Sequence, residues 1–387
     1  MNKFSSAIIR RNTIVNSIVC SLLFIFFSFT YLYLVQGEAI NHVHAVLSEG
    51  KTHYSLFWGA LIISIILWII SWGLNLVTQF RGKWTSVSYF PAFIVIIILS
   101  SFYPSLNKET FTLALCDEWW WCIPAIIMYV TLAILYQRIK PKENILKLPE
   151  LMIPNISILI VFIYLTGTIG NNNELFHNEL YISSAIQNKD YKKAAQIGIK
   201  SPHNSQTLTA LRALALSCTD SLGQCLFFYT QNNGADGLFM DESIGKRSII
   251  TNDSIYKHLG AIDRKSNEPA INYLQRICED ETASSYALDY YLCALLLERQ
   301  LTTFKQALET FYDEDKSLPR HYQEALILLQ DKEGKDSNST QIKDSLIINK
   351  YDAFKALQQS YKEEQLKNNY TRRKFGDTYW WYFWYGN

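Results

Sequence analysis

The 387-residue chain is short of charge where charge would be most telling. Long apolar runs fill its first 170 residues, and no ionisable residue lies deep inside any of them. Charged groups within a membrane mark ion and proton pathways. Their lack speaks against a pump, a voltage sensor and a proton-coupled transporter. Neither sign of charge dominates overall: the formal net charge is +1, which gives no electrostatic reason to expect nucleic acid. No Cys-x-x-Cys pair occurs and no His lies close to a Cys pair, which speaks against a structural zinc site. No Gly-x-Ser-x-Gly elbow is present. "DESIGKRS" holds a Gly-Lys pair without the upstream Gly of a phosphate loop. Nothing calls for a cofactor. Gly and Pro are sparse in residues 171–387, and few stretches there alternate with period two, so that half is expected to be helical.

What is present divides the chain. Residues 1–170 carry 11 Lys/Arg and 7 Asp/Glu among apolar runs, whereas residues 171–387 carry 25 and 28. Five runs approach the ~20 residues a helix needs to cross hydrocarbon. They lie near 14–36 ("IVNSIVCSLLFIFFSFTYLYLVQ"), 55–78, 88–105, 119–136 and 152–169. The first is too long for a signal-peptide core and is read as a retained span. The third begins near Pro91 and the fifth with Pro154 and Asn155, so either is a candidate for a tilted or re-entrant segment. Arg and Lys concentrate before span one, between spans two and three, and between four and five. The positive-inside rule then places the N-terminus in the cytoplasm and residues 171–387 outside.

Of seven cysteines, Cys20 lies in a span, while Cys116/Cys122, Cys218/Cys225 and Cys278/Cys293 form sequence-near pairs on the expected outer side. An oxidising face allows disulfides there, with Cys218–Cys225 the first candidate. The alternative is that these are small buried hydrophobes.

"NELYISSAIQNKDYKKAAQIGIKSP" reads as helix, tight turn at Asn188–Asp190, helix, and stop at Ser201–Pro202. Further helices follow in "SQTLTALRALALSC", "SSYALDYYLCALLLERQ", "PRHYQEALILLQ" and "NKYDAFKALQQSYKEEQLKN". Residues 232–253 and 331–345 interrupt the pattern. Short antiparallel helices with a "DYxxAA" turn, here Asp190, Tyr191, Ala194 and Ala195, resemble tetratricopeptide repeats, which stack into a solenoid. The expected fold is therefore all-α: a bundle of about five transmembrane helices over 1–170, then a degenerate helical-hairpin solenoid over 171–387.

Four stretches, "AAQIGIKSPHNS", "LFFYTQNNGADGLF", "LPRHYQEALILL" and "FGDTYWWYFWY", resemble a family of bacterial multispanning membrane proteins that carry a tetratricopeptide-like C-terminal domain. The resemblance implies architecture, while the spans and their flanking charges point to the bacterial inner membrane. It brings no activity and no catalytic residue.

Three groups of residues stand out. At the outer end of span four, "CDEWWWCIP" sets Asp117 and Glu118 beside Trp119, Trp120 and Trp121. This is an aromatic belt at the headgroup level, or, in the sharper reading, an acidic pair facing a lipid-linked or glycan substrate as in membrane glycosyltransferases. The first outer loop holds His42, His44 and His53 with Glu38 and Glu49, either solvated or a weak metal set. Their i,i+2 spacing suits a strand or loop. Finally, Tyr379, Trp380, Trp381, Tyr382, Phe383 and Trp384 form an aromatic run of ~12 Å as a helix, too short to span a bilayer. It caps the last helices or lies at the membrane surface; a cap with partial membrane contact is expected. The function expected is that of an envelope scaffold that binds a protein or peptide partner. The enzyme reading with Asp117 and Glu118 is the alternative.

Overall fold

The computed structural model describes residues 3–48, 51–52, 54–106, 111–115, 119–139, 146–199, 201, 203–241, 250–260, 263–265, 268–280, 283–312, 317–334 and 345–386. The chain forms two compact units, Met1–Asn173 and Glu174–Asn387.

In the first unit, α1 (Lys3–Thr30) runs through one π-helical turn (Tyr31–Val35) before α2 (Gly37–Leu47) and α3 (Leu56–Thr78). A 3-10 stretch (Gly82–Tyr89) leads into α4 (Phe90–Ser100), with Pro91 in the first turn of that helix. Pro is suited there because it lacks an N–H that would be unpaired anyway. Two short strands follow, β1 (Phe102–Leu106) and β2 (Phe111–Leu115), paired antiparallel with Phe102 opposite Leu115. After them come α5 (Cys122–Ile139) and α6 (Leu148–Ile169). Five helical segments are long and apolar enough to cross a membrane: Ile9–Val35, Leu56–Thr78, Gly82–Ser100, Cys122–Ile139 and Leu148–Ile169.

The all-helical expectation holds, with one short β-hairpin added, and the third apolar segment stops at Ser100, not 105. "FYPSL" and "FTLAL" carry aromatic and β-branched residues on either side of four polar residues in the sequence, a short-range hairpin pattern. The third segment also starts earlier and outside the α-helical state. Asn155 of α6 explains how its 3-10 backbone is satisfied in apolar surroundings. Its Oδ1 accepts from Ser86 N at 2.8 Å, and its Nδ2 donates to Gly82 O at 2.9 Å and Leu151 O at 2.8 Å. An unpaired backbone group would be costly there.

The second unit is built of short helices: α7 (Glu174–Gln187), α8 (Tyr191–Gln196), α9 (Gln206–Ser217), α10 (Leu222–Cys225), α11 (Asn252–Leu259), α12 (Ala270–Cys278), α13 (Ser285–Leu297), α14 (Leu301–Phe311), α15 (Arg320–Glu333), α16 (Ser345–Gln359), α17 (Glu364–Phe375) and α18 (Tyr379–Tyr385). One turn recurs in three of the hairpins. Lys189, Asp220 and Arg299 hold φ of 57°, 51° and 58°. The next residue in each case donates to a carbonyl five back, at 2.9 Å: Asp190 to Ala185, Ser221 to Leu216, Gln300 to Leu295. Lys189, Asp220 and Arg299 themselves donate three back, to Ile186, Ser217 and Leu296. These paired bonds are the Schellman closure, which satisfies the last carbonyls of a helix. A new helix starts two residues past each left-handed residue. Glycine usually fills that position; here the closure holds non-glycine residues in it.

α9 and α13 form the centre. From Leu208 to Ser217 and from Tyr290 to Leu297 every side chain is buried. A helix that is apolar nearly all round must be covered on every side.

Candidate functional site

The aromatic run after Asp377 folds as α18 and enters the core of the second unit. Thr378 caps it, its Oγ1 accepting from Trp381 N at 3.3 Å. Tyr379 and Trp380 are fully buried and Tyr382 nearly so. Such rings fold inward when their polar tips find partners. Trp380 Nε1 donates to Glu324 O at 2.8 Å, and Tyr382 OH donates to Leu297 O at 2.7 Å. Trp380 also packs on Tyr351 of α16, with ring centres 5.0 Å apart. Phe227 lies 5.1 Å from Tyr379 and 4.9 Å from Tyr382. Trp381 and Phe383 are half-buried, under Arg372 and Lys332 respectively. Trp384 remains 51% exposed.

A buried carboxylate locks this helix in place. The Glu324 side chain, 1% exposed, accepts from Arg320 Nε at 2.8 Å, His321 Nδ1 at 2.9 Å and Tyr379 N at 2.7 Å. An ionised carboxylate only accepts, so Nδ1 of His321 carries the proton. Arg320 reaches on to Asp377 Oδ2 at 3.0 Å, and Lys350 lies 3.6 Å from Oδ1. Burial works to raise the Asp377 pKa, but Arg320 and Lys350 outweigh it and hold the group below the usual carboxylate range. Arg320 also sits 5.3 Å above the ring of Phe228. Both oxygens of Glu324 are engaged, so the group acts as a clasp. Phe227 and Phe228, Arg320 to Glu324, and Asp377 to Tyr382 come from three of the stretches on which the resemblance rests.

Sequence reading missed a second cluster. Ser217 Oγ and His258 Nε2 are 2.9 Å apart, Cys218 Sγ is 3.9 Å from His258 Nδ1, and Tyr286 stacks on the imidazole at 4.4 Å. No sequence signal joins these residues, because about 40 positions separate His258 from Cys218. Burial pushes the Cys218 thiol up and the His258 imidazole down. The thiol is therefore not activated toward thiolate, which a nucleophile requires.

The residues singled out from sequence are scattered. Cys116, Asp117, Glu118 and His53 lie outside the described residues. Trp119 opens a 3-10 turn, Trp120 is exposed and Trp121 half-buried just before α5. His42 and His44 sit on helix α2, contrary to the expected loop, so their i,i+2 spacing turns them to different faces. His42 is buried, while His44 stands 3.3 Å from Thr52. Cys122, Cys218, Cys225, Cys278 and Cys293 are free thiols in this structure. Cys293 is fully buried on α13, its Sγ 3.7 Å from Tyr322 OH.

Comparison with curated proteins and with solved structures finds no match. A family model does match, over residues 5–272 and 263–386, and so covers nearly all of both units. The chain belongs to that family, a family of unknown function designated DUF6057.

Proposed function

We propose that this chain is a membrane-anchored binding protein of the bacterial cell envelope. Its first unit is the anchor. Its second is a degenerate tetratricopeptide-like array, held on the outer, periplasmic face, that engages a protein or peptide partner. The observation that carries this reading is the Schellman turn repeated at Lys189, Asp220 and Arg299. Lys189 and Asp220 stand about one 34-residue repeat apart. A recurring helix–turn–helix unit stacked on its neighbours is the design of proteins that present extended binding surfaces. The bias of Arg and Lys toward alternate loops supports the orientation.

Photo-crosslinking in cells tests the reading. A photoreactive residue replaces in turn Trp384, Phe311 and Tyr370, all exposed on the second unit. At least one position should give a discrete adduct with a second protein. Unshifted protein at all three, across several growth conditions, would refute it.

A further inference from the structure

Three of the five apolar segments of the first unit leave a groove between them. It has a volume of about 340 Å³, with Trp84 and Val87 on one wall, Met128 and Leu132 on the second, and Ser157 and Val161 on the third. That volume falls within the range of small-ligand sites, ~300–1,000 Å³. Trp84, Met128 and Leu132 are about half exposed, so the groove opens sideways. Its surface offers no polar atom, and a polar ligand would lose its hydrogen bonds on entering.

Cations gather at one end of the groove, contributed by all three walls. Lys83 directly precedes Trp84. Leu146 lies against Gly82, where an added Cβ would meet its Cδ1 at 3.9 Å, and this brings Lys147 to the same end. Arg81 N donates to Tyr136 OH at 3.0 Å and Gln137 Nε2 donates to Val77 O at 2.9 Å, which brings Arg138 there as well. Lys83, Arg138 and Lys147 are all exposed. Among the described residues the carboxylate at this end is Glu150, which accepts from Lys147 N at 3.1 Å.

We propose that the groove seats an acyl chain of an anionic phospholipid, whose phosphate lies among Lys83, Arg138 and Lys147. An apolar slot beside a cationic rim matches an amphiphile with a negative head. Basic pockets between membrane helices take such headgroups. A free phosphate would leave the slot empty, and a zwitterionic lipid would leave the rim uncompensated. The inference rests on the first unit spanning a membrane, and it is independent of the partner of the second unit.

The test uses the full chain, purified in mild detergent. Bound lipid is read by native mass spectrometry and by the thermal unfolding midpoint. The probes are phosphatidylglycerol, phosphatidylcholine with the same chains, and inorganic phosphate. One cation near a headgroup is worth roughly fivefold in affinity, so the glycerol lipid should bind at least about tenfold tighter than the choline lipid. Inorganic phosphate should give no shift. Ser157→Phe, which fills the slot, should cut retention of both lipids, while Ser157→Ala keeps them. Lys83→Gln with Lys147→Gln should cut the preference for the glycerol lipid to about fivefold or less, the share left to Arg138, while the paired Lys→Arg changes keep the full preference. If Ser157→Phe does not fold, the lysine pair decides. Equal affinity for the two lipids, an equal shift with phosphate alone, or an unchanged preference in the double Gln variant overturns the proposal. A lipid preference that survives failed partner crosslinking would leave it standing.

Discussion

Trp380→Ala and Trp384→Ala compare the same substitution four residues apart in α18, and the structure assigns them very different costs. Trp380 is fully buried between Tyr351 and Phe354, and its indole donates to Glu324 O at 2.8 Å. Truncating a buried Trp costs ~3–5 kcal/mol through lost transfer energy and the cavity left behind. The lost indole hydrogen bond adds ~1 kcal/mol. Trp384 is 51% exposed; its ring meets that of Phe383, and the Lys332 ammonium lies 5.7 Å from the ring centre. An exposed cation–π contact contributes ~0.5–1 kcal/mol, so this loss should stay near or below ~1 kcal/mol. For a unit of this size each kcal/mol moves the melting midpoint by ~2–4 °C. Trp380→Ala should therefore lower it by at least ~6 °C, and Trp384→Ala by less than ~4 °C. Pulse proteolysis of the full chain in urea, reading the fragment that covers residues 174–387, reports the second unit separately. Equal losses in the two variants, or a Trp380→Ala cost below ~1 kcal/mol, would refute the docking of α18.

Three further outcomes are expected. Asp377 is depressed in the folded state, so its stabilising contribution is complete above the unfolded carboxylate value of ~3.9 and is lost as pH falls through the folded value. Asp377→Asn should therefore lose less stability between pH 7 and pH 3 than the unmodified chain; identical losses would contradict the Arg320–Asp377–Lys350 arrangement. A reporter that matures only in the periplasm should be active when fused after Gly170, and one that needs the cytoplasm inactive, with the reverse pattern inverting the orientation. In a strain where deletion has a phenotype, Asp117→Asn with Glu118→Gln should complement fully if the protein acts by binding, and a null result would favour the enzyme reading.

The physical reason a feature was legible in the sequence is the range over which it is determined. Apolar runs of about twenty residues have one common explanation, and the structure holds five such segments. The turn at Asn188–Asp190 is local: two periodic helices flank it, and Asp190 caps the second by accepting from Lys193 N. The stop expected at Ser201–Pro202 came earlier, because Gly198, at φ 66°, ends the hairpin beyond α8. Non-local features were hidden. In "RHYQEALILL" the acid at Glu324 reads as a surface residue of an amphipathic helix. Two of its partners, Arg320 and His321, are a turn away and visible in the sequence. The third, Tyr379 N, is 55 residues on. Arg212 was equally opaque: it sits buried inside α9, held by Gly198 O at 2.9 Å and by the Tyr229 ring at 4.7 Å. The third apolar segment misled for a related reason. Hydropathy registers Gly82–Tyr89 as polar, and it does not show that Asn155 of α6 satisfies the backbone of that stretch.

The clasp also shows how one side of the second unit's core is covered. α18 turns one face to that core and one face outward, and it does so with rings instead of charges. Its inner face contributes Tyr379, Trp380 and Tyr382, and the polar atoms of Trp380 and Tyr382 bond to carbonyls of α15 and α13. Glu324 holds the helix twice over, its side chain taking Tyr379 N and its carbonyl taking the Trp380 indole. Without α18, Glu324 would keep Arg320 and His321 but lose a buried donor, and the apolar faces of Phe227, Tyr351 and Phe354 would be uncovered. Losing a hydrogen bond to a buried charged group costs ~1.5–3 kcal/mol, and uncovering three aromatic faces adds to it. The core of the second unit is thus closed by a segment far along the chain from the helices it covers. That closure leaves Trp384 exposed on the outer face of α18, with the Lys332 cation beside its ring.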